Sequence, residues 1–131
     1  MDGEKDLSKI LKNMQPLLNE GDYVFCTMPA DNFNIPLADI ICYFKEAEGA
    51  TIVLSKTVAD GLGLRYEFVG SWITLNVHSS LEAAGLTAAF SAALSKENIS
   101  CNVIAAYFHD HIFVNKEDGE KALAVLNRLS K

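Results

Sequence analysis

The stretch from Ser71 to Val114 constrains the fold more than any other part of the chain. Its first part alternates with a period of two, as a strand with two different faces does. The apolar members of that strand are Ile73, Leu75 and Val77. The members of its other face are Trp72, Thr74, Asn76 and His78. We therefore expect a strand whose first face packs on a core and whose second face carries polar and aromatic groups.

A helix and two strands complete this stretch. Apolar residues recur on one helical face, as an amphipathic helix requires, and they are Leu86, Ala89, Phe90, Ala93 and Leu94. Asn98 can end this helix, and Ile99 to Tyr107 is predicted to be a strand. A turn at His109 and Asp110 leads into a strand from Ile112 to Val114. A helix between the first two strands allows a right-handed crossover, but the sequence does not show which strands are neighbours.

The remaining segments predict further helices and strands. A helix starts near Leu7 and should end or kink near Met14, because Pro16 cannot lie inside a helix. The loop from Pro29 to Pro36 is rich in turn formers. The other predicted elements are strands over Tyr23–Met28, Ile40–Ala47, Ala50–Leu54 and Arg65–Val69, and helices over Lys56–Leu62 and Glu117–Leu129.

A weak internal repeat relates the two halves. The segment from Tyr43 can be aligned with the segment from Tyr107, and both read as strand, hairpin, strand and helix. We therefore divide the chain into two units, residues 1–68 and 69–131.

Composition excludes several classes of function. Seventeen acidic against eleven basic residues give a net charge of −6. Nucleic acid and anionic membranes are therefore not expected as partners. The N-terminus lacks the pattern of a secretion signal, and no apolar run could span a membrane. Cys26, Cys42 and Cys101 lie far apart in apolar surroundings, which indicates reduced thiols and a cytoplasmic location.

The segment VHSSLEAAGLTAAFSAALSKENISCNVIAAYFHDHIFV resembles an ACT domain, and the resemblance extends through FKEAEGATIVL to nearly the whole chain. Gly85-Leu86 occupies the place of the family's glycine and branched residue at the first helix, and Asn98 to Val103 that of its entry into the second strand. The resemblance implies an α+β fold made of two tandem ACT-like units. Each would be a ferredoxin-like βαββαβ sandwich, with an antiparallel sheet and helices on one face. Ala84 replaces the family's usual proline, which could alter the loop.

The resemblance also implies a binding site for a free amino acid. It places the site at the loop before the first helix and on the second strand, at Leu81, Glu82, Ala83, Ala84, Gly85, Leu86, Asn102, Val103 and Ile104. A helix N-terminus attracts carboxylates, and Asn102 could hydrogen-bond a ligand. The alternative is that Ser79 and Glu82 only cap the helix and that Gly85 only allows close packing.

His109-Asp110-His111 is a second candidate site, because two histidines two residues apart on a strand could hold one metal ion. His78 or Asp110 would have to add a ligand. The pair falls at a predicted turn, so a role in shaping that turn is the competing interpretation. No serine or cysteine lies in a motif typical of an activated nucleophile.

Three hypotheses of function follow. The first is a non-catalytic, amino-acid-binding regulatory module without cofactors, which acts when ligand favours one packing of its units. The second is an adaptor protein whose ligand loop is vestigial. The third is a small metal-dependent enzyme that uses His78, His109 and His111. The two-faced strand predicts a homodimer, because pairing would bury the face that the helices leave open. Any regulatory output would have to pass to a separate protein partner.

Overall fold

The structure, a computed structural model, describes residues 6–29, 31, 34–76 and 85–130. In chain order its elements are α1 (Leu7–Asn13), β1 (Gln15–Leu18), β2 (Tyr23–Met28), β3 (Cys42–Lys45), β4 (Ala50–Ser55), α2 (Lys56–Gly61), β5 (Val69–Asn76), α3 (Leu86–Lys96), β6 (Cys101–Ala105), β7 (Asp110–Asn115) and α4 (Gly119–Leu129). One-turn 3₁₀ helices lie at Leu37–Asp39 and Lys116–Asp118.

The chain forms two compact units. One, which we call the split unit, combines residues 1–20 with 71–131, and the other, the central unit, consists of residues 21–70. These units do not coincide with the division into residues 1–68 and 69–131, because the segment before Gly21 packs with the second half of the chain. The division along the sequence stays a prediction about domain boundaries.

The fourth strand in the sheet of the split unit is β1, which comes from the N-terminal segment of the chain. β5 is bonded to β7, and β6 pairs antiparallel with β7 from Cys101 opposite Val114. β1 also pairs antiparallel with β5, and Leu18 lies opposite Ile73. The order β1-β5-β7-β6 is that of a ferredoxin-like unit whose last strand comes from the N-terminal side. Pro16 fits there, because a proline is tolerated on an edge strand.

Helices α1, α3 and α4 supply one side of the split unit's core. The spacing of the buried residues on α3 and α4 is helical, so each helix buries one stripe. The core residues on the helices are Ile10, Leu86, Phe90, Leu94, Ala122, Val125 and Leu126. The strand residues that meet them are Ile73, Leu75, Ile112 and Val114. This confirms the helical stripe and the alternation at Ile73 and Leu75, whereas Val77, the third apolar residue of that strand face, lies outside the described residues.

The central unit repeats the same strand order. β2 pairs antiparallel with β4 from Tyr23 opposite Ser55, and β3 pairs antiparallel with β4. The first two residues of β5 pair with β2, which gives the order β3-β4-β2-β5. The one-turn helix at Leu37–Asp39 stands where the first helix of such a unit belongs. The core consists of Val24, Cys26, Ile35, Ile52, Leu54 and Ala59.

Two local predictions were wrong, whereas the predicted end of the first helix near Met14 is confirmed. α1 ends at Asn13, and Pro16 lies in strand β1, because a proline cannot continue the helix. A strand was predicted over Arg65–Val69, but β5 begins only at Val69 and continues to Asn76. Asp110 was placed in the turn but is the first residue of β7, because the turn already closes with Ala106 N–H donating to the carbonyl of His109.

Candidate functional site

Gly85 forms the start of α3 in a conformation that favours glycine. Its φ is +94°, in the left-handed region, and no side chain caps the helix among the described residues. A Cβ at this position would lie 3.1 Å from Cδ2 of Leu7, so a larger residue would also press on α1. A helix start leaves the N–H groups of its first turn without partners inside the helix. The predicted loop residues Leu81, Glu82, Ala83 and Ala84, together with His78, Ser79 and Ser80, lie outside the described residues.

Strand β6 carries the three other residues predicted for the ligand site, Asn102, Val103 and Ile104. Their side chains alternate between the two faces of the sheet. Asn102 lies opposite Phe113, and Ile104 lies opposite His111, on the face away from the helices. Val103 instead packs against the helix-side core, as does Leu86 of α3. Asn102 is exposed and Ile104 is half-buried. Of the described candidates, Gly85, Asn102 and Ile104 can therefore meet a ligand, whereas Leu86 and Val103 serve packing.

The described residues do not bring Gly85 and Asn102 into contact. Residues 97–100 connect the end of α3 directly to the beginning of β6, so the start of α3 lies toward the far end of that strand. Sγ of Cys101 lies 4.0 Å from Oγ of Ser91, in the middle of the helix. The two halves of the predicted site are thus separated along β6 within one chain.

A polar network on the helix-free face of the split unit was not predicted from the sequence. Trp72 Nε1 donates to His111 Nδ1 at 3.0 Å, and Thr74 Oγ1 lies 3.2 Å from the same nitrogen. Asn19 Nδ2 donates to Thr74 Oγ1 at 3.0 Å. Because an indole nitrogen can only donate, His111 Nδ1 must be unprotonated and the ring proton must be on Nε2. The alternation within β5 and β7 could have suggested Trp72 and His111 as neighbours, but no sequence pattern indicates that Asn19 joins them.

Burial and a neighbouring histidine shift pKa values within the motif His109-Asp110-His111. Burial, and then the nearby His109, lower the pKa of His111, while burial raises the pKa of Asp110. The rings of His109 and His111 lie 6.3 Å apart and nearly perpendicular. Within the described residues, His109 Nδ1 is buried without a hydrogen-bond partner, and no group of three side chains could hold a metal ion. His111 Nδ1 is already engaged by Trp72, which leaves that nitrogen unsuited to a metal.

Comparison with models of protein families shows to which family the chain belongs. Two family models, each described as an ACT domain, match residues 2–71 and residues 67–128. The chain belongs to the ACT-domain family. Its two tandem units and its ferredoxin-like strand order agree with the resemblance and the fold class predicted from the sequence. No curated protein matches the sequence.

Solved structures share the fold of this ACT protein. A Vibrio cholerae protein of unknown function, described as a possible transport protein, is 45% identical with a TM-score of 0.81, over 95% of this chain and 96% of that one. An Agrobacterium tumefaciens protein is 17% identical with a TM-score of 0.66, over 89% of each chain. A structure of aspartokinase alpha and beta subunits is 10% identical with a TM-score of 0.59, over 87% of this chain and 95% of that one. The last two likenesses concern the fold alone.

Membership of the ACT-domain family supports a general role in regulation. ACT domains are regulatory modules that bind small ligands, and this chain is built of two of them. No helix among the described residues has the length and apolarity to cross a membrane.

Proposed function

We propose that this ACT protein is a non-catalytic sensor that binds a free amino acid and transmits occupancy by changing the packing of its units. Two observations carry the proposal: the start of α3 at Gly85 has no side-chain cap among the described residues, and the edge strand β6 presents Asn102. The first feature suits a carboxylate and the second offers an amide for hydrogen bonds. The loop from Leu81 to Ala84 would complete the site.

A homodimer would join the two halves of this site. β6 is the last strand of its sheet, so its outer edge can accept a strand from a second copy. Such pairing would place a second copy beside the edge of β6 that carries Asn102. Ligand bound between copies would then favour the assembled state by mass action. The free thiols Cys26, Cys42 and Cys101 suit a reducing cytoplasm.

The test is calorimetric titration of the whole protein with each of the twenty amino acids. We expect one or a few to bind, and Asn102→Ala to weaken that binding by at least about tenfold, because a hydrogen bond to a charged ligand contributes about 1.5 to 3 kcal/mol. Asn127→Ala, on the exposed side of α4, is the matched control and should bind as the parent does. Light scattering with and without ligand measures the dimer. If none of the twenty binds, the sensor proposal fails.

A second function, that of an adaptor, is favoured by an exposed aromatic pair. Tyr107 and Phe108 are 60% and 63% exposed, and their rings meet edge to face at 5.0 Å in the turn between β6 and β7. Aromatic side chains at the surface are enriched where proteins bind one another. Loss of a co-purifying protein in Tyr107→Ser/Phe108→Ser, with amino-acid binding absent in the parent, would favour the adaptor.

A further inference from the structure

An open groove lies between strands β2 and β4 and the segment Arg65–Phe68 of the central unit. Its volume is about 510 Å³, which falls in the range of small-molecule pockets. None of the residues predicted for the ligand site belongs to it. The residues that line it are Phe25, Cys26, Thr27, Thr51, Arg65, Tyr66, Glu67 and Phe68.

The groove exists because the fourth strand of the central unit is short. β5 pairs with β2 only at Tyr23 and Val24, and the residues before Val69 leave the sheet. Among the described residues, the edge of β2 from Phe25 onward therefore has no strand beside it on that side. The hydroxyl of Tyr66 donates to Asp60 of α2 at 2.6 Å, which anchors the departing segment to the helix.

The walls of the groove combine apolar and charged groups. Phe25 and Phe68 meet edge to face with ring centroids 5.7 Å apart and form an apolar wall. Arg65 and Glu67 are exposed, and in the part of the chain that the structure describes neither side chain forms an ion pair or hydrogen bond. The side chain of Cys26 belongs to the core, which leaves its main chain to face the groove.

The corresponding place in the split unit is filled. Thr51 lies opposite Phe44 on its neighbouring strand, as His111 lies opposite Ile104, so the two residues occupy equivalent positions of the two units. In the split unit His111 is held by Trp72 and Thr74. In the central unit the equivalent position carries the small side chain of Thr51, whose hydroxyl donates to Glu46 at the rim. The internal duplication thus has a packed face in one unit and an open groove in the other.

We propose that the groove of the central unit binds an α-amino acid with a large apolar side chain. The carboxylate would be bound by the Arg65 guanidinium, which favours two parallel hydrogen bonds to carboxylates. The ammonium would be bound by Glu67, and the side chain would pack on Phe25 and Phe68. This inference rests on the proposed amino-acid sensing, and it adds a second amino-acid site that is separate from the one proposed at Gly85 and Asn102.

The positive charge of Arg65 and the negative charge of Glu67 determine which ligands the groove can bind. A molecule that carries an ammonium and a carboxylate on the same carbon satisfies both side chains, whereas a plain acid or a plain amine leaves one of them unpaired. The groove therefore discriminates against molecules that carry only one of the two groups. Selection among amino acids falls to the aromatic wall, which favours large apolar side chains over small or polar ones.

The experiment is calorimetric titration of the full chain with L-phenylalanine, L-leucine, 3-phenylpropanoic acid and phenethylamine. We expect the two amino acids to bind, and both single-charge analogues to bind at least about tenfold more weakly, as loss of a charged hydrogen bond implies. Arg65→Gln and Glu67→Gln should each weaken amino-acid binding by a similar factor. Lys45→Gln, an exposed residue of the same unit, repeats the charge change of Arg65→Gln outside the groove and should leave binding unchanged. Circular dichroism checks that all variants are folded.

The outcomes separate this inference from the proposed function. Binding that survives Arg65→Gln and Glu67→Gln but is lost in Asn102→Ala overturns the groove and keeps the sensor. Equal binding of phenylalanine and of its analogues also overturns the groove, because it shows that the charges are not used. Absence of binding by any amino acid to the parent protein overturns both.

Discussion

Trp72 donates its indole N–H to Nδ1 of His111 across 3.0 Å, and this bond fixes both the orientation and the tautomer of the histidine. The Trp72 ring also lies nearly parallel to that of Phe113, with the centroids 6.0 Å apart. A protonated His111 would carry a hydrogen on Nδ1 and could no longer accept from the indole. The neutral ring is therefore part of the fold of the split unit.

We expect the protein to lose stability in mildly acidic solution through His111. Burial and His109 lower the folded-state pKa of His111 below its ordinary value of 6.5. The unfolded chain therefore binds a proton first as the pH falls below that value, and stability decreases until the folded pKa is reached. Urea unfolding at about pH 7.5 and about pH 5.5 measures the difference.

His111→Asn is the matched variant for this measurement. Asparagine retains an oxygen that can accept from Trp72 and does not titrate, so the loss between the two pH values should shrink. Burial raises the pKa of Asp110, and that group acts in the opposite direction, because its burial cost is relieved as the pH falls toward its ordinary 3.8. The comparison is therefore made in an Asp110→Asn background as well. An unchanged pH dependence in both backgrounds would contradict the assignment to His111.

Trp72→Phe tests the hydrogen bond separately from the ring contact. Phenylalanine keeps an aromatic ring against Phe113 but removes the donor to His111 Nδ1. The free energy of unfolding should fall by about 1 to 2 kcal/mol, the usual cost of one lost hydrogen bond in a partly buried place. The same substitution in a His111→Asn background should cost a similar amount if the asparagine oxygen accepts from the indole. A zero cost in the parent would show that the bond does not contribute.

Gly119 is expected to tolerate no side chain, although it lies at the beginning of α4 with an ordinary helical φ of −55°. A Cβ there would lie 2.6 Å from Oγ and 3.0 Å from Cβ of Ser71. Gly119→Ala should therefore destabilise the protein by about 1 to 3 kcal/mol through overpacking. Gly61→Ala is the control, since a Cβ there meets nothing within 4 Å on α2, and it should stabilise by about 0.5 to 1 kcal/mol. Thermal and urea unfolding of both variants measure the contrast, and a neutral Gly119→Ala would contradict the tight contact.

The periodicity of apolar residues predicted most of the helices and strands, but it was misleading at the start of β5. The strand containing Ile73 and Leu75, the α3 stripe and β2 follow from local pattern, because each buries one face against a core. The pattern failed before Val69, because the departure of Arg65–Phe68 from the sheet depends on tertiary contacts such as that of Tyr66 with Asp60.

The site was less accessible to sequence reasoning than the fold. The resemblance indicated Asn102 and Gly85, but it treated Val103 as equivalent to Asn102, and the pleat of β6 turns Val103 to the core. Asn19 and Thr74 meet at 3.0 Å although they are far apart in the sequence, and no local pattern signals such a contact. The groove of the central unit arises from the short pairing of β5 with β2, which only the register reveals.

Strand β1 offers a test of how the split unit is assembled, because two adjacent leucines face opposite sides of it. Leu18 lies opposite Ile73 and packs against the core, whereas Leu17 lies opposite Thr74 and is 51% exposed. Leu18→Ala should lower the free energy of unfolding by about 2 kcal/mol, since it removes partly buried methyl groups from a core. Leu17→Ala should change it by no more than about 0.5 kcal/mol, as surface substitutions do. Equal effects of the two substitutions in urea unfolding would contradict the pairing of β1 with β5. A large effect confined to Leu18 would mean that the N-terminal segment contributes to the stability of the second half of the chain.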